Sequence, residues 1–243
     1  MHESELWITK LFNDHLAGLG NAFLGIVGMQ AEHRPWSNYI TMELVVVLLM
    51  MLLFAFLRPR LSVDHPGKLQ HLFEVIHDFL RGESEDQVGH GGARYLPYFG
   101  TIFLFILFGN LIGIIPGFES PTQSPAVPLG CALATFLYYN FVGLKEQGVG
   151  KYLAHFAGPM PFLAPLMIPI ELMSHLARPL SLTIRLYANM YAGEKVTMVF
   201  LGLTYFAIPA VFMGLHVFVS LLQAYIFALL TMMYVAGAVS HEH

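Results

Sequence analysis

The chain has 243 residues, of which 56% are hydrophobic and only 12% are charged. Soluble domains carry about 25% charged residues, so this composition excludes an ordinary soluble protein and predicts an integral membrane protein. The net charge of −4 argues against binding to nucleic acid. A lone cysteine, Cys131, excludes an internal disulfide.

The first 37 residues precede the first long apolar segment, and we predict a separate, extracytoplasmic N-terminal segment at 1–37. It opens with the acidic sequence Met1-His-Glu-Ser-Glu5, so no cleavable signal peptide is expected. The apolar stretch near 16–29 is too short to span a bilayer. We expect an interfacial or packed helix there.

Residues 38–243 are predicted to form a single all-α membrane domain with about five spans. A crossing helix needs about 20 mostly apolar residues. This criterion places the spans at about 38–57, 95–115, 125–143, 161–198 and 205–239. Between the first two, residues 67–81 have apolar side chains at helical spacing, which predicts an amphipathic helix on the membrane surface. The stretch Glu83-Ser-Glu-Asp86 predicts a solvated loop.

The last two apolar segments are unusually long. At 1.5 Å per residue, the fourth would extend about 57 Å, against a hydrocarbon layer of about 30 Å. We expect a hairpin of strongly tilted helices, with kinks permitted at Pro165, Pro169 and Pro179. Such a hairpin suits wrapping around a neighbouring protein.

Lysine and arginine are distributed unevenly between the two sides. The loops after spans one and three hold seven of them, and the opposite side holds three. The positive-inside rule therefore predicts an external N-terminus and a cytoplasmic C-terminus.

The fourth segment contains a stripe of charged residues. Glu171, Arg178 and Arg185 recur every seven residues, which places them on one face of a helix, and His175 falls on the same face. A charge at the bilayer centre costs about 2.5–3.5 kcal/mol on insertion scales. Such residues therefore need partners or water and commonly mark an ion pathway.

The two arginines suggest different roles. Arg178 either pairs with Glu171 inside the chain, which we favour, or takes part in transport. Arg185 has small residues on its face, where another helix could pack against the backbone and meet the guanidinium. We predict a functional role for Arg185. The small neighbours are Ser181, Ala188 and Ala192.

Other polar residues in apolar surroundings are candidates for a proton path. Glu194 and His216 lie at similar distances from the turn expected near 202–206, so they could meet across the hairpin. They form either a proton relay, which we favour because histidine titrates near neutrality, or a buried pair that fixes register. Gln223 shares a face with His216. Asn110 either makes an interhelical hydrogen bond or lines a pore. It lies among Gly109, Gly113 and Gly117, whose spacing permits another helix to approach closely.

Nucleotide chemistry is not expected in this chain, because it has neither G-x-x-x-x-G-K-[ST] nor G-x-G-x-x-G. No metal site is predicted, since His71 and His77 are six residues apart, a poor helical spacing for a shared ion. No cofactor is expected.

The segment from Ala177 to Glu194, which reads Ala-Arg-Pro-Leu-Ser-Leu-Thr-Ile-Arg-Leu-Tyr-Ala-Asn-Met-Tyr-Ala-Gly-Glu, closely resembles subunit a of F-type rotary ATP synthases. The sequence from Leu222 to Thr231 resembles the last helix of that family, and the one from Gly109 to Pro116 resembles its first hairpin helix. With span order and length, the resemblance covers most of residues 38–243.

The resemblance implies a role for each polar residue. Arg185 corresponds to the essential stator arginine, with Asn189 and Gln223 as its polar neighbours. Glu194 and His216 correspond to the acid–histidine pair of one half-channel.

Asn110 and Glu171 correspond to further polar positions along the aqueous paths. Arg178, His175 and Ser181 are left with structural or supporting roles. The implied function is that of a non-catalytic proton-channel stator.

The resemblance also implies partners and a location. These are a ring of c subunits bearing membrane carboxylates, the b subunits of a peripheral stalk, the other ATP synthase subunits, lipid and protons. The location is the bacterial inner membrane. The coupling ion implied is the proton.

Two other functions compete with this one. A secondary transporter with its own midplane site predicts matched halves with discontinuous helices, and no matching half is evident. A purely structural anchor predicts no buried ionisable stripe, which the fourth segment contradicts.

Overall fold

The computed structural model describes residues 5–28, 30–63, 65–89, 91–115, 117–148, 150, 152, 164–203 and 207–239. Across these residues the chain is helical and contains no β-strand. The long helices are α1 (Trp7–Val27), α2 (Asn38–Leu57), α3 (Lys68–Val88), α4 (Leu96–Ile112), α5 (Ala126–Gln147), α6 (Ala164–Leu203) and α7 (Ala207–Val239). Short 3₁₀ turns lie at Arg58–Arg60, Gly92–Tyr95 and Pro121–Gln123.

Four helical segments in the described part are long and apolar enough to cross a membrane: Asn38–Arg60, Gly92–Ile112, Ala126–Gln147 and Ala210–Val239. Helix α6 is longer than any of these but carries the charged residues of the stripe, which lower its hydropathy. The predicted all-α membrane class is confirmed.

Helices α4 to α7 form the packed bundle, with α7 in contact with α3, α4, α5 and α6. Small residues make this possible, since Ala224 and Ala228 of α7 are completely buried and let neighbouring backbones approach. Large side chains such as Phe99, Ile106 and Tyr139 fill the space between the helices. In lipid, where the hydrophobic effect gives no preference for helix–helix contact, this close packing supplies the attraction.

Helix α1 is longer than the apolar stretch predicted near 16–29, and it departs from helical geometry at Leu16 (φ −121°, ψ 15°). It is packed onto the following chain. The Asn13 amide exchanges two hydrogen bonds of 3.0 Å with the Trp36 backbone, and Gly20 lies against Pro35. These contacts anchor the N-terminal segment beside the start of α2.

The predicted amphipathic helix is α3, but the solvated loop predicted at Glu83–Asp86 is wrong because α3 continues to Val88. Arg81 Nε lies 3.0 Å from Glu85 Oε1, one turn along, which supports the helix. Ser84 is buried, with the backbone of Gly92 so close that a Cβ atom there would collide with it. The run Glu83–Asp86 is therefore helical because Ser84 packs against the backbone of Gly92.

Helices α6 and α7 run antiparallel, as the predicted hairpin requires. Gly193 lies against His216, and the Phe200 and Phe212 rings stack 4.4 Å apart. At 40 and 33 residues, the helices extend about 60 and 50 Å. The turn expected near 202–206 lies outside the described residues apart from the end of α6 at Leu203. The steep tilt remains a prediction.

The glycines of α4 face a loop rather than a helix, so the expected helix–helix contact at this pattern is wrong. A Cβ atom at Gly113 would lie 2.9 Å from the backbone nitrogen and the Cβ of Ser120, and one at Gly109 would lie 3.6 Å from Thr122. The chain after α4 folds back onto the small residues. This close return fixes the segment that contains Ser120 and Thr122.

We predict that Gly113→Ala destabilises the protein, because the added methyl group meets backbone that cannot move aside. Overpacking of this kind costs about 1–3 kcal/mol. The matched control is Gly100→Ala in the same helix, which has nothing within 4 Å of the new Cβ and should be neutral or slightly stabilising. The measurement is the thermal midpoint of the purified complex in detergent. Equal midpoints for the two variants would contradict the close return.

Candidate functional site

Helix α6 has two contrasting faces. The inner face is buried against the bundle and includes His175, Pro179, Leu182, Leu186 and Met190. The prediction that His175 shares a face with Arg185 is therefore wrong, because ten residues do not complete a whole number of helical turns. The outer face is exposed and contains small residues around one long cation, namely Ser181, Arg185, Ala188 and Ala192. Packing of the inner face fixes the rotation of the helix, so the outer face is presented away from the chain's own core.

Arg185 makes no hydrogen bond and no ion pair with the residues that the structure describes. Tyr234 of α7 is near enough to interact electrostatically with it, but a phenol does not neutralise a guanidinium. Asn189, one turn further along α6, is also exposed. Because an unpaired charge in lipid is costly, the arrangement requires water or another protein beside Arg185.

Arg178 is held by its own chain. Its Nη2 atom lies 3.9 Å from Glu171 Oε1, and its guanidinium carbon lies 5.2 Å from the Tyr234 ring centre and 5.9 Å from that of Tyr139. Cation–π contacts strengthen when they are shielded from water. This geometry matches the internal pair that the spacing favoured.

His175 lies at the centre of a small polar network. Its Nε2 atom is 3.2 Å from Asn140 Oδ1, which also accepts a 2.7 Å hydrogen bond from the Tyr152 hydroxyl. The ring makes edge contacts with Phe136 and Tyr139 of α5. Sequence reasoning missed Asn140 and Tyr152, although an asparagine in an apolar span was an available signal.

Glu194 lines a cavity of about 370 Å³ where α2, α6 and the 3₁₀ turn Pro121–Gln123 meet. The opposite wall includes Asn38, Tyr39 and Glu119. The remaining lining residues are Met42, Ser120, Pro121, Gln123, Ser124, Pro125, Tyr187, Tyr191, Lys195 and Met198. Two carboxylates and several amides and hydroxyls make this a site that water can occupy.

Glu119 was not predicted as a site residue. Asn38 Nδ2 lies 3.4 Å from Glu119 Oε2, and Asn38 Oδ1 accepts a 3.2 Å hydrogen bond from the backbone N–H of Leu6. The N-terminal segment thus helps to hold one wall of the cavity. The signal in the sequence was an acid between the spans predicted at 95–115 and 125–143.

A chain of hydrogen bonds leads inward from the cavity. The Ser120 and Thr122 hydroxyls lie 2.7 Å apart, and Thr122 donates to Asn110 Oδ1 at 2.5 Å. Asn110 is fully buried, and its Nδ2 atom has no partner among the described residues. Asn110 therefore bonds to the 3₁₀ turn Pro121–Gln123 rather than to another long helix, and its pore-lining role stays a prediction.

His216 lies behind Glu194 rather than in the lining of the cavity. Its Nδ1 atom would be 3.4 Å from a Cβ atom at Gly193, and its Nε2 atom is buried with no hydrogen-bond partner in the described part of the chain. The hairpin therefore brings positions 193 and 216 to the same level. Gln223, two turns further along α7, is buried.

No group of three or more histidine, cysteine, aspartate or glutamate side chains that could hold a metal ion occurs within the described residues. The site is built from hydroxyls, amides, imidazoles, carboxylates and guanidinium groups. Of these, the imidazoles and carboxylates can take up and release protons, and the hydroxyls and amides can hold water by hydrogen bonds.

Comparison with known proteins gives a matching family model and several similar proteins. The family model described as ATP synthase A chain matches residues 39–236. An ATP synthase subunit a from Solibacter usitatus is 71% identical over 96% of this chain and 100% of its own length. Those from Koribacter versatilis and a Sulfurihydrogenibium species are 49% and 41% identical, over 98% and 85% of this chain and 98% and 100% of their own lengths.

We predict that Thr122→Val destabilises the protein by about 1–3 kcal/mol, because it leaves Asn110 Oδ1 buried without its hydroxyl donor. For a chain of this length, this should lower the thermal midpoint by about 2–4 °C per kcal/mol. Thr122→Ser retains the hydroxyl and is the matched control. A midpoint for Thr122→Val at or above that of Thr122→Ser would contradict the hydrogen-bonded path.

Proposed function

We propose, from the premise that the chain belongs to the ATP synthase subunit a family, that it is the proton-conducting stator of an F-type ATP synthase. In this role it carries protons to and from the carboxylates of a rotating ring of c subunits. Two half-channels, each open to one side of the membrane, would supply and remove the protons. ATP chemistry belongs to other subunits.

The observation that carries the proposal is the exposed guanidinium of Arg185 on a face of small residues. Helix α6 buries its other side, so Arg185 points where a second protein could pack. A ring carboxylate arriving there would find the cation that its ionised form needs. The small neighbours would let the ring helix approach the α6 backbone.

The charge of Arg185 determines where a ring carboxylate releases its proton and where it takes one up. A nearby cation lowers the pKa of a carboxyl group by about 1–3 units, so a ring carboxylate would lose its proton as it nears Arg185. Once past the arginine, it must take up a proton again, because only the neutral form crosses lipid cheaply. Arg185 also repels protons and so separates the two half-channels.

The cavity beside Glu194 is the proposed entrance to one half-channel. Glu119 and Glu194 attract protons to the cavity, and His216 lies at the same level on α7. Asn110, reached through Ser120 and Thr122, extends the polar path into the bundle.

The second half-channel would run along the opposite part of the stripe. Glu171 and Arg178 lie there, two to four turns from Arg185 along α6. Asn189 and Gln223 are proposed to keep the ring carboxylate and Arg185 hydrated near the point of transfer.

The family implies that the other ATP synthase subunits are partners. Within that assembly we propose the c ring on the outer face of α6 and the b subunits elsewhere on the bundle. The proposed location is a bacterial inner membrane, with the N-terminus outside and the C-terminus in the cytoplasm.

We predict that Arg185→Ala abolishes ATP-driven proton pumping in inverted membrane vesicles while the complex still assembles. Arg185→Lys should also fail largely, because a compact ammonium lacks the planar fork of the guanidinium. Arg81→Ala is the control, since Arg81 is exposed on α3 and pairs with Glu85 of the same helix. Near-normal pumping by Arg185→Ala would refute the proposed function.

We predict that Glu194→Gln and His216→Gln each slow proton pumping without abolishing it, since water can carry part of a relay. If the two act as a pair, the double variant should lose less than the sum of the single losses, expressed as activation free energies. The measurement is the pumping rate across the four-member cycle. Strict additivity would mean that the two residues act independently.

A further inference from the structure

The polar network around His175 has a fixed orientation. Asn140 Nδ2 donates a 2.6 Å hydrogen bond to the Phe136 carbonyl oxygen, which determines which end of the amide is the oxygen. Asn140 Oδ1 therefore faces the Tyr152 hydroxyl at 2.7 Å and His175 Nε2 at 3.2 Å.

This orientation determines the tautomer of His175. A carbonyl oxygen can only accept hydrogen bonds, so the Nε2 atom facing it must carry a proton. In the neutral ring, Nδ1 is then the nitrogen with a lone pair. A proton that binds to His175 binds at Nδ1.

The charged and titratable groups around His175 come from three helices and from Tyr152. On α6, Glu171 is one turn before His175 and Arg178 is three residues after it. On α5 the described titratable neighbour is Tyr139, on α7 Tyr234 contacts Arg178, and Tyr152 completes the set. His175 thus lies between an acid and a base along α6.

The burial of His175 also needs an explanation. Only 8% of the residue is exposed, and an apolar side chain would fill the space between α5 and α6 without any hydrogen bonds. A polar network in a membrane bundle is costly unless it is well satisfied. Here two further side chains are used to orient one imidazole.

We propose that His175 is a proton-carrying group in the half-channel on the Glu171 side, oriented by Asn140 and Tyr152. Nδ1, which is itself buried, accepts a proton from a water molecule inside the bundle near Glu171 and releases it to one on the side of Arg185, or the reverse. Nε2 keeps its proton throughout, bonded to Asn140. No covalent bond between heavy atoms changes, and the proposal rests on the proton-conducting function proposed above.

The test is ATP-driven proton pumping by the complete complex in inverted vesicles, measured between about pH 5 and 8, where histidine titrates. His175→Gln can keep a hydrogen bond to Asn140 but cannot carry a proton. We expect it to reduce the rate by about 100-fold or more and to remove a pH-dependent limb of the profile. Asn140→Leu retains the imidazole, so it should slow pumping but keep that limb.

The control is His77→Gln, an exposed histidine on α3, which should leave both rate and profile unchanged. A wild-type rate and profile for His175→Gln would overturn the proposal and leave His175 as a packing residue. If His175→Gln does not assemble, the double variant His175→Leu with Asn140→Leu replaces the polar contact with an apolar one. A wild-type profile in that assembled variant overturns the proposal, and its failure to assemble also does, because the network would then be needed for folding.

Arg185→Ala in the same membranes distinguishes a failure of the proposed function from a failure of the role proposed for His175. If it pumps, the proposed function fails. If it does not pump while His175→Gln behaves as wild type, only the role of His175 fails.

Discussion

The structure depends on one cation, Arg185, that the described part of the chain leaves unpaired. Arg185 lies midway along a helix of 40 residues, and no described residue forms a hydrogen bond or ion pair with it. In a membrane this is tolerable only if something outside the chain supplies water or negative charge. On the proposed function, the protein supplies one half of an electrostatic pair, and the rest of the bundle keeps the cation in position.

A comparison of the two arginines of α6 shows how packing separates structure from function. Arg178 has Glu171 within 3.9 Å and tyrosine rings of α5 and α7 beneath it. Arg185, two turns later, has alanines and serine on its face. The same side chain is therefore a satisfied structural group at one position and an available charge at the other, and the difference lies in the neighbouring residues.

Much of this could be predicted from the sequence. The seven-residue spacing of Glu171, Arg178 and Arg185 placed the stripe, and the long apolar segments indicated the α6–α7 hairpin. Local patterns were sufficient in these cases because each feature lies within one helix or two adjacent ones.

The features that were missed involve contacts between distant parts of the chain. In a span that is apolar on all sides, periodicity does not reveal which residues face a neighbour. Asn140 stands out as a polar residue in an apolar span, but its pairing with His175, 35 residues away, does not follow from the pattern. The helical state of Glu83–Asp86 depends on burial of Ser84, and the glycines of α4 serve a returning loop, so neither follows from local composition.

The most direct test of the central claim is whether the Arg185 face contacts a ring of small subunits. A cysteine at Ala188, one turn from Arg185, in a Cys131→Ala background, would be oxidised against a cysteine placed one turn from the membrane carboxylate of the c subunit. The account predicts a disulfide-linked pair from Ala188→Cys and none from Leu137→Cys, which is also exposed but lies on α5. Equal cross-linking from both positions, or none from Ala188→Cys in an assembled complex, would contradict it.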